Sequence, residues 1–148
     1  MLPAGVTRDG KARVEFAHEP RLGRVLAGHF LLLDRRVPVD ENAFLVSVVS
    51  FHDVAGGEDE DGKREQGHHD VIEATASQDA AEWIVPFEFT IPESARASAS
   101  VFVRALGAER WELRLRSRFE DEASSSMHEF QMLPAIRARS AVDARTAA

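Results

Sequence analysis

The sequence predicts an all-β fold, a two-sheet antiparallel β-sandwich of about seven or eight strands. Within short runs, apolar residues occupy every second position, and turn-forming residues separate the runs, which is the pattern of half-buried strands. No segment of more than about ten residues repeats with the helical period. Because strands with one apolar face must bury that face, two sheets packed against each other follow.

Eight runs carry this strand pattern, at spacings typical of a sandwich. The clearest run, 110–119, alternates throughout between an apolar face and a charged face. In the 43–53 run nearly every residue is apolar, which predicts a central strand buried on both faces or nearly so. The predicted strands are 12–18, 24–33, 43–53, 68–77, 81–92, 101–106, 110–119 and 127–136.

Two residues inside these runs indicate local departures from a regular strand ladder. Gly28, in the middle of 24–33, predicts a bulge or a close backbone approach. Pro86, within 81–92, cannot donate a ladder hydrogen bond, which predicts an edge position or a bulge there. The apolar face of that run is formed by Trp83, Val85, Phe87, Phe89 and Ile91.

A length of 148 residues fits one domain. We predict an N-terminal arm over 1–11, a single sandwich over 12–136 and a disordered C-terminal tail over 137–148, where no core-forming pattern remains. The segment 54–67 contains four consecutive acids and no apolar periodicity. It should therefore form a flexible acidic loop within the sandwich.

The composition excludes several classes of function. The chain contains no cysteine, which excludes disulfides, thiolate metal sites and cysteine nucleophiles. With 18 Lys and Arg against 25 Asp and Glu, the formal charge of −7 repels nucleic acid and anionic lipid. No signal-peptide core or run long enough to span a membrane is present. We expect a cytoplasmic protein, or the soluble part of a membrane-associated one, without direct membrane insertion.

Two motifs resemble the arrestin-like β-sandwich, which is immunoglobulin-like in architecture. "VPFEFTIPES" (85–94) is followed by "RWELRLRSRF" (110–119). In that family, an F-x-F-x-(I/L)-P strand and its serine-bearing turn precede a strand that opens with an aromatic residue. The earlier "RVEFAHEPRLGRVLAGHFLL" (13–32) also looks like the opening of such a sandwich.

The resemblance covers about residues 12–136 and implies a non-enzymatic protein-interaction domain. Single sandwiches of this kind occur in the soluble part of some uncharacterised bacterial membrane proteins and in a bacterial sporulation-control protein family. Arrestins themselves have two sandwiches and a polar core that senses phosphate, whereas this chain is long enough for one. The resemblance therefore implies a fold and an interaction role, and not receptor or phosphate binding.

A row of arginines is the first candidate binding site. Arg114, Arg116 and Arg118 project from one face of the predicted strand, roughly 6.5–7 Å apart for each two-residue step. Single-stranded nucleic acid also needs stacking aromatics on the basic face, but Trp111 and Phe119 lie on the other face, so a nucleic-acid partner is not expected. We expect a solvated face paired with glutamates, with an acidic protein partner as the alternative. The candidate glutamates are Glu15, Glu88, Glu112 and Glu129.

Histidines around the acidic loop are the second candidate site. His52 and Asp53 end one predicted strand, and His68, His69 and Asp70 begin the next. A hairpin across the loop can bring the two groups together. A divalent metal needs three or four converging ligands, and adjacent residues such as His68 and His69 cannot both join without a bulge. These five residues predict, as the alternative function, a metal-binding domain or metal-dependent enzyme.

Other chemistry finds little support in the sequence. The segment 57–68 imitates a calcium loop, with Asp59 and Asp61 at the third and fifth ligand positions. Gly57 and His68, however, occupy the first and twelfth positions, where Asp and Glu belong. The chain lacks a nucleophile elbow, a phosphate-binding loop and a dinucleotide motif. No cofactor is therefore expected, and no catalytic residue is assigned.

These observations favour a non-catalytic interaction domain, an adaptor or scaffold. It would bind a protein or peptide through an exposed sheet edge or through a loop end. The first candidate edges are 83–91 and 101–106, and a homodimer through such an edge is equally allowed.

Overall fold

A computed structural model contains two antiparallel β-sheets packed against each other, which confirms the predicted sandwich. The structure describes residues 2–33, 43–53, 64–79, 81–98 and 109–136. Within these ranges the chain forms nine strands and one short 3₁₀ helix, Glu122–Ser124, and no α-helix. No helix in the described part of the chain is long and apolar enough to cross a membrane.

The strands, numbered in chain order, divide into a five-stranded and a four-stranded sheet. In spatial order, the five-stranded sheet contains β1 (Leu2–Val6), β2 (Ala12–Phe16), β3 (Val25–Leu32), β7 (Glu82–Thr90) and β6 (Ser77–Asp79). The four-stranded sheet contains β5 (Arg64–Thr75), β4 (Ala43–Asp53), β8 (Arg110–Ser117) and β9 (Ser126–Phe130). The apolar 43–53 run is therefore a central strand, as predicted.

Alternation along the strands decides which side chains enter the space between the sheets. In β7, Val85, Phe87 and Phe89 are buried, whereas Pro86 and Glu88 are exposed. Because successive side chains of a strand point to opposite faces, one apolar residue in two is enough to build an inner face. Burying each such side chain contributes about 1.5–3 kcal/mol.

The core is built largely from aromatic and branched side chains of both sheets. The Phe16 and Phe87 rings meet edge to face with centroids 6.1 Å apart, and Phe30 packs on Phe87 at 5.6 Å. Such ring pairs add about 0.5–1.5 kcal/mol to the burial of their area. The largest fully buried side chains include Trp111, Phe30, Phe89, Leu26, Ile91, Leu113 and Met132.

Gly28 lies where three strands pass close together. It pairs with Phe16 of β2 and Phe87 of β7, and neither pairing shifts register at this point. The predicted bulge is therefore wrong, but the predicted close approach is correct. A Cβ at Gly28 would overlap the Glu15 carbonyl oxygen and would lie 3.0 Å from the Phe87 ring. Only glycine avoids that overlap.

One lateral side of the sandwich is closed by the chain itself. β5 ends at Thr75 in the four-stranded sheet, and β6 begins at Ser77 in the five-stranded sheet. Ala76, between them, is buried. The chain thus passes from one sheet to the other within one residue.

The opposite lateral side is closed by the β1–β9 contact, formed by Arg8, Asp9, Ser126, Met127 and Glu129. The Arg8 backbone N–H donates to the Met127 carbonyl oxygen at 3.0 Å. The Ser126 hydroxyl donates to Asp9 Oδ2 at 2.7 Å, and the Arg8 guanidinium lies 3.5 Å from the Glu129 carboxylate. Backbone and side chains together therefore tie the chain after β1 to β9.

Two groups beside this contact have shifted pKa values. Burial acts to raise the pKa of Asp9, but hydrogen bonds from Ser126, Thr7 and the Lys11 backbone outweigh it and lower that pKa. Burial lowers the pKa of His128, against the opposing effects of its backbone hydrogen bond at Val6 and the charge of Glu129. The native contact therefore favours ionised Asp9 and neutral His128.

Several predicted boundaries differ from the structure. The predicted arm 1–11 contains β1, which pairs with β2 and carries an irregularity between Pro3 and Gly5. β5 begins at Arg64, so 64–67 belong to a strand instead of the acidic loop. The rest of that loop, the predicted strand 101–106 and the tail 137–148 lie outside the described residues.

The ends of β7 and β8 also refine the prediction. Phe119, predicted to share the buried face of its strand, is 71% exposed because β8 ends at Ser117 and the chain turns. Pro86 lies beyond the part of β7 that pairs with β6, which covers only Glu82 to Ile84. Among the described residues, Pro86 therefore occupies an edge on that side, as its missing N–H predicts.

Candidate functional site

A bulge in β5 shapes the most polar part of the sandwich interior. On β4, Val49 pairs with His69 and Phe51 pairs with Gln66, so Gly67 and His68 together lie opposite Ser50. The His68 backbone N–H donates to the Ser50 hydroxyl oxygen at 2.7 Å. A bulge of this kind redirects side chains, and here it turns His68 toward the interior.

Glu109, just before β8, places a carboxylate beside this bulge. Its side chain is only 7% exposed. A Cβ added to Gly67 would lie 2.7 Å from both Glu109 carboxylate oxygens and 2.8 Å from the Ser50 hydroxyl. The carboxylate therefore packs directly on the Gly67 backbone, which explains why no side chain is present at that position.

The Glu109 carboxylate is incompletely satisfied. Its Oε1 lies 3.9 Å from Nδ1 of His52, which is too long for a hydrogen bond and is an ion pair only when His52 is protonated. Its Oε2 is buried and has no hydrogen-bond partner within the described residues. Burial of a carboxylate oxygen without a partner is costly, so this atom stands out from the rest of the interior.

His68 supplies a second buried polar atom beside the carboxylate. Its ring packs on Trp111, with centroids 5.6 Å apart and planes tilted by 35°. Its Nε2 is buried and, in the described part of the chain, has no hydrogen-bond partner. The Trp111 indole N–H donates to the Arg96 carbonyl oxygen at 3.0 Å, which fixes the loop after β7 against the same region.

These groups border a cleft at the end of the sandwich, here called the end pocket. Its volume is about 260 Å³. Ser94 and Arg96, from the loop after β7, are exposed at its rim. The pocket walls include Gly67, His68, Ser94, Ala95, Arg96 and Glu109.

The structure brings together only part of the predicted metal site. His52 approaches Glu109, and His68 lines the same pocket. His69 and Asp70 are exposed, and Asp70 Oδ1 accepts the Val71 backbone N–H at 2.9 Å. Asp53 is the last residue of β4. Within the described ranges, no three His, Asp or Glu residues are placed to hold a metal ion.

Glu109 was not predicted from the sequence, although a signal was present. Positions 109, 111, 113 and 115 share one phase of the alternation, and all four are buried. Extending the β8 pattern backwards by one step therefore points Glu109 into the interior. The bulge at Gly67 has no comparable signal, because it depends on the pairing of β5 with β4.

The predicted arginine row is largely engaged within the sheet. The Arg114 guanidinium bonds the buried Glu112 carboxylate at 3.1 Å and lies 5.3 Å from the Phe51 ring centroid. Arg116 donates to the Glu120 carbonyl oxygen at 2.7 Å. Arg118 is exposed in the turn that follows β8. The three residues therefore do not form one free cationic surface.

The expectation that glutamates pair with this arginine row is only partly correct. Glu112 lies two residues before Arg114 on the same strand, and not across the sheet. Glu129 pairs with Arg8, and Glu15 lies 3.1 Å from the His29 ring. Beside Arg114 and Arg116, a depression of about 30 Å³ leaves room for about one water molecule. The end pocket is thus the better candidate site.

Comparisons with known proteins do not identify a family. No protein-family model matches the chain, and no curated protein is found as a relative. Among solved structures, the chain is similar to a β-glucosidase from Listeria innocua in complex with gluconolactone. The TM-score is 0.33 with 12% sequence identity, and the match covers 85% of this chain but 16% of the enzyme chain. A similarity this weak carries no argument about function.

Proposed function

We propose that this chain is a non-catalytic protein-interaction domain, an adaptor or scaffold, which binds its partner at the end pocket. The observation that carries the proposal is a cleft lined by Glu109 and His68, whose buried Oε2 and Nε2 atoms lack hydrogen-bond partners in the described chain. Buried polar groups in folded proteins are nearly always hydrogen-bonded. A partner molecule that enters the cleft would satisfy them.

The surroundings of the pocket favour binding over catalysis. The buried hydroxyl of Ser50 accepts the His68 backbone N–H. In the described ranges, no serine or threonine hydroxyl is hydrogen-bonded to a histidine ring, so no activated nucleophile is assembled there. The resemblance of 85–94 and 110–119 to the arrestin-like sandwich also favours an interaction role.

The end pocket is better supported as the contact surface than a sheet edge is. On the outer edge of β5, the Asp70 carboxylate already accepts the Val71 N–H. Charged residues on an edge strand disfavour the addition of another strand. The β1–β9 contact occupies the opposite side of the sandwich. Homodimerisation through an edge therefore remains the weaker form of this proposal.

Selection of binding peptides from a random displayed library tests the proposal on the full chain. Ser94→Trp fills the pocket rim, and Ser124→Trp, on the exposed 3₁₀ helix after β8, is the matched control. We expect selected peptides to bind the wild type and the Ser124→Trp protein equally, and to bind Ser94→Trp about tenfold or more weakly. Failure to select any peptide, or equal binding to both variants, would overturn the proposal.

The expected location follows from the same proposal. An interaction domain with no cysteine suits the cytoplasm, or the soluble part of a membrane-associated protein. Fractionation of the native host, followed by detection of the chain, distinguishes these two locations.

A further inference from the structure

We propose that the end pocket recognises one cationic side chain, a lysine or an arginine, of the partner protein. The inference rests on the proposed function and names the chemistry of that site. The cationic group would lie at Oε2 of Glu109, the buried carboxylate oxygen without a partner in the described chain. The protein itself would then supply the anion, and the partner would supply the cation.

Burial of the carboxylate is the first reason for expecting a cation. Glu109 is 93% buried by area, since 7% remains exposed. A buried carboxylate is normally paired or fully hydrogen-bonded. Here His52 approaches only Oε1, and at 3.9 Å. A charge-assisted hydrogen bond to the remaining oxygen is stronger than a neutral one, so an ammonium or guanidinium is a better partner for Oε2 than a neutral donor is.

The second reason is the size of the pocket. Its volume, about 260 Å³, lies below the roughly 300–1,000 Å³ typical of small-molecule and cofactor sites. This space suits one side chain. The aliphatic stem of lysine or arginine would pass Ala95, while the charged head reaches Glu109.

The third reason is that the described side chains do not support a metal ion as the alternative occupant. Zinc needs at least three protein ligands, and no such group exists in the described ranges.

A basic partner is also attracted over longer distances by the formal charge of −7. Arg96 is exposed at the rim, and its backbone carbonyl oxygen accepts the Trp111 indole N–H.

Small cations provide the direct test. Methylguanidinium and n-butylammonium are titrated into the full chain, with neutral N-methylurea as the control for shape. Binding is followed at the Trp111 indole N–H resonance, because that group bonds the Arg96 carbonyl oxygen at the pocket wall. Trp83, the other tryptophan, serves as the internal reference. We expect saturable shifts at Trp111 with at least one cation, weakened by added salt, and none with N-methylurea.

Two glutamine variants assign the binding to Glu109. Glu109→Gln keeps the shape of the side chain and should weaken cation binding by about tenfold or more. Glu112→Gln is the matched control, since Glu112 is similarly buried three residues later, in β8, but bonds Arg114 on the outer face. Its cation binding should equal that of the wild type. Equal weakening in both variants, or unchanged binding in Glu109→Gln, would overturn the inference.

A cation of the chain itself is the alternative occupant. Arg104, which lies outside the described residues, is tested with Arg104→Ala. If that variant binds methylguanidinium about tenfold or more tightly than the wild type, the pocket is self-occupied and the inference is overturned. Unchanged binding excludes Arg104 as the occupant, as the inference requires.

The selected peptides separate this inference from the proposed function. Peptides that lose binding in Ser94→Trp but carry no required lysine or arginine would overturn the inference and leave the interaction role intact. Saturable cation binding that depends on Glu109, without any selected peptide, would instead overturn the interaction role. Peptides in which replacement of one lysine or arginine by glutamine abolishes binding would support both.

Discussion

Replacing Glu109 with methionine is expected to stabilise the fold. The carboxylate is buried, and its Oε2 lacks a partner in the described chain. An unsatisfied buried group of this kind costs about 1–3 kcal/mol. Methionine has an unbranched stem and adapts to irregular interior space, so it removes that cost without leaving a large cavity.

The net gain follows from two opposing effects. Loss of the 3.9 Å approach to His52, whose side chain is 23% exposed, costs about 0–1 kcal/mol. Subtracting this from the relief of the unpaired oxygen leaves a stabilisation of about 0–3 kcal/mol, centred on about 1–2 kcal/mol. For a chain of this length, the corresponding rise in Tm is about 2–8 °C.

Urea unfolding, followed by tryptophan fluorescence, measures the change. Trp111 is fully buried, so its emission reports loss of the core. Glu88→Met, at an exposed position of β7, is the control and should change the unfolding free energy by less than about 0.5 kcal/mol. A Glu109→Met protein that is about 1 kcal/mol or more less stable than wild type would refute the reasoning, because the carboxylate would then be paired.

Three further outcomes are expected. Gly28→Ala should lower the unfolding free energy by about 1–3 kcal/mol in urea, because the new Cβ overlaps the Glu15 carbonyl oxygen. Phe30→Ala should cost about 3–5 kcal/mol in the same assay, whereas Phe119→Ala, at an exposed position, should change stability by less than about 0.5 kcal/mol. Burial lowers the pKa of His128 in the folded state below its value in the unfolded chain. As the pH falls, the unfolded chain is therefore protonated at His128 before the folded chain is. The contribution of His128 to the stability of the fold is complete above about pH 6.5 and is lost as the pH falls through the folded-state pKa. His128→Gln should therefore show a smaller loss of stability between about pH 7 and pH 5, measured by urea unfolding at each pH.

Each of these outcomes has a result that contradicts it. A Gly28→Ala protein as stable as the wild type would mean that β2 and β3 separate at little cost. Equal effects of Phe30→Ala and Phe119→Ala would contradict the burial assigned to the two rings. For the pH dependence, His18→Gln at an exposed position is the control. A reduced pH dependence in that variant, and not in His128→Gln, would assign the titration to a different histidine.

The fold was predictable where local alternation decides the burial of a strand. Val85, Phe87 and Phe89 occupy every second position, and the period of two alone places them inside. β1 was missed because Pro3 and Gly5 weaken any strand pattern there, and its stability comes from pairing with β2. β6 is only three residues long and carries no period of its own. Pairing with the next strand along the chain, and not propensity, creates these two strands.

The site was predictable only in part, for a related reason. A hairpin between predicted strands correctly brings His52 and His68 to one region. Which of the two neighbouring histidines turns inward depends on the bulge at Gly67, and the bulge depends on the register with Ser50 of another strand. The approach of Glu109 likewise requires β8 to lie beside β4. Spacing along one strand does not show where a bulge falls or which strand lies beside it.

The crossing at Ala76 determines how the sandwich bears mechanical load. On that side, continuous backbone joins the sheets, so they cannot part without disrupting β5 or β6. On the other side, the chain just after β1 is tied to β9 by hydrogen bonds and by an ion pair between partly exposed groups. A force applied at Leu2 therefore acts first on the pairing of β1 with β2, and then on these polar contacts. We therefore expect β1 to detach before the load reaches Trp111, which would release tension on the N-terminal strand while the core stays packed.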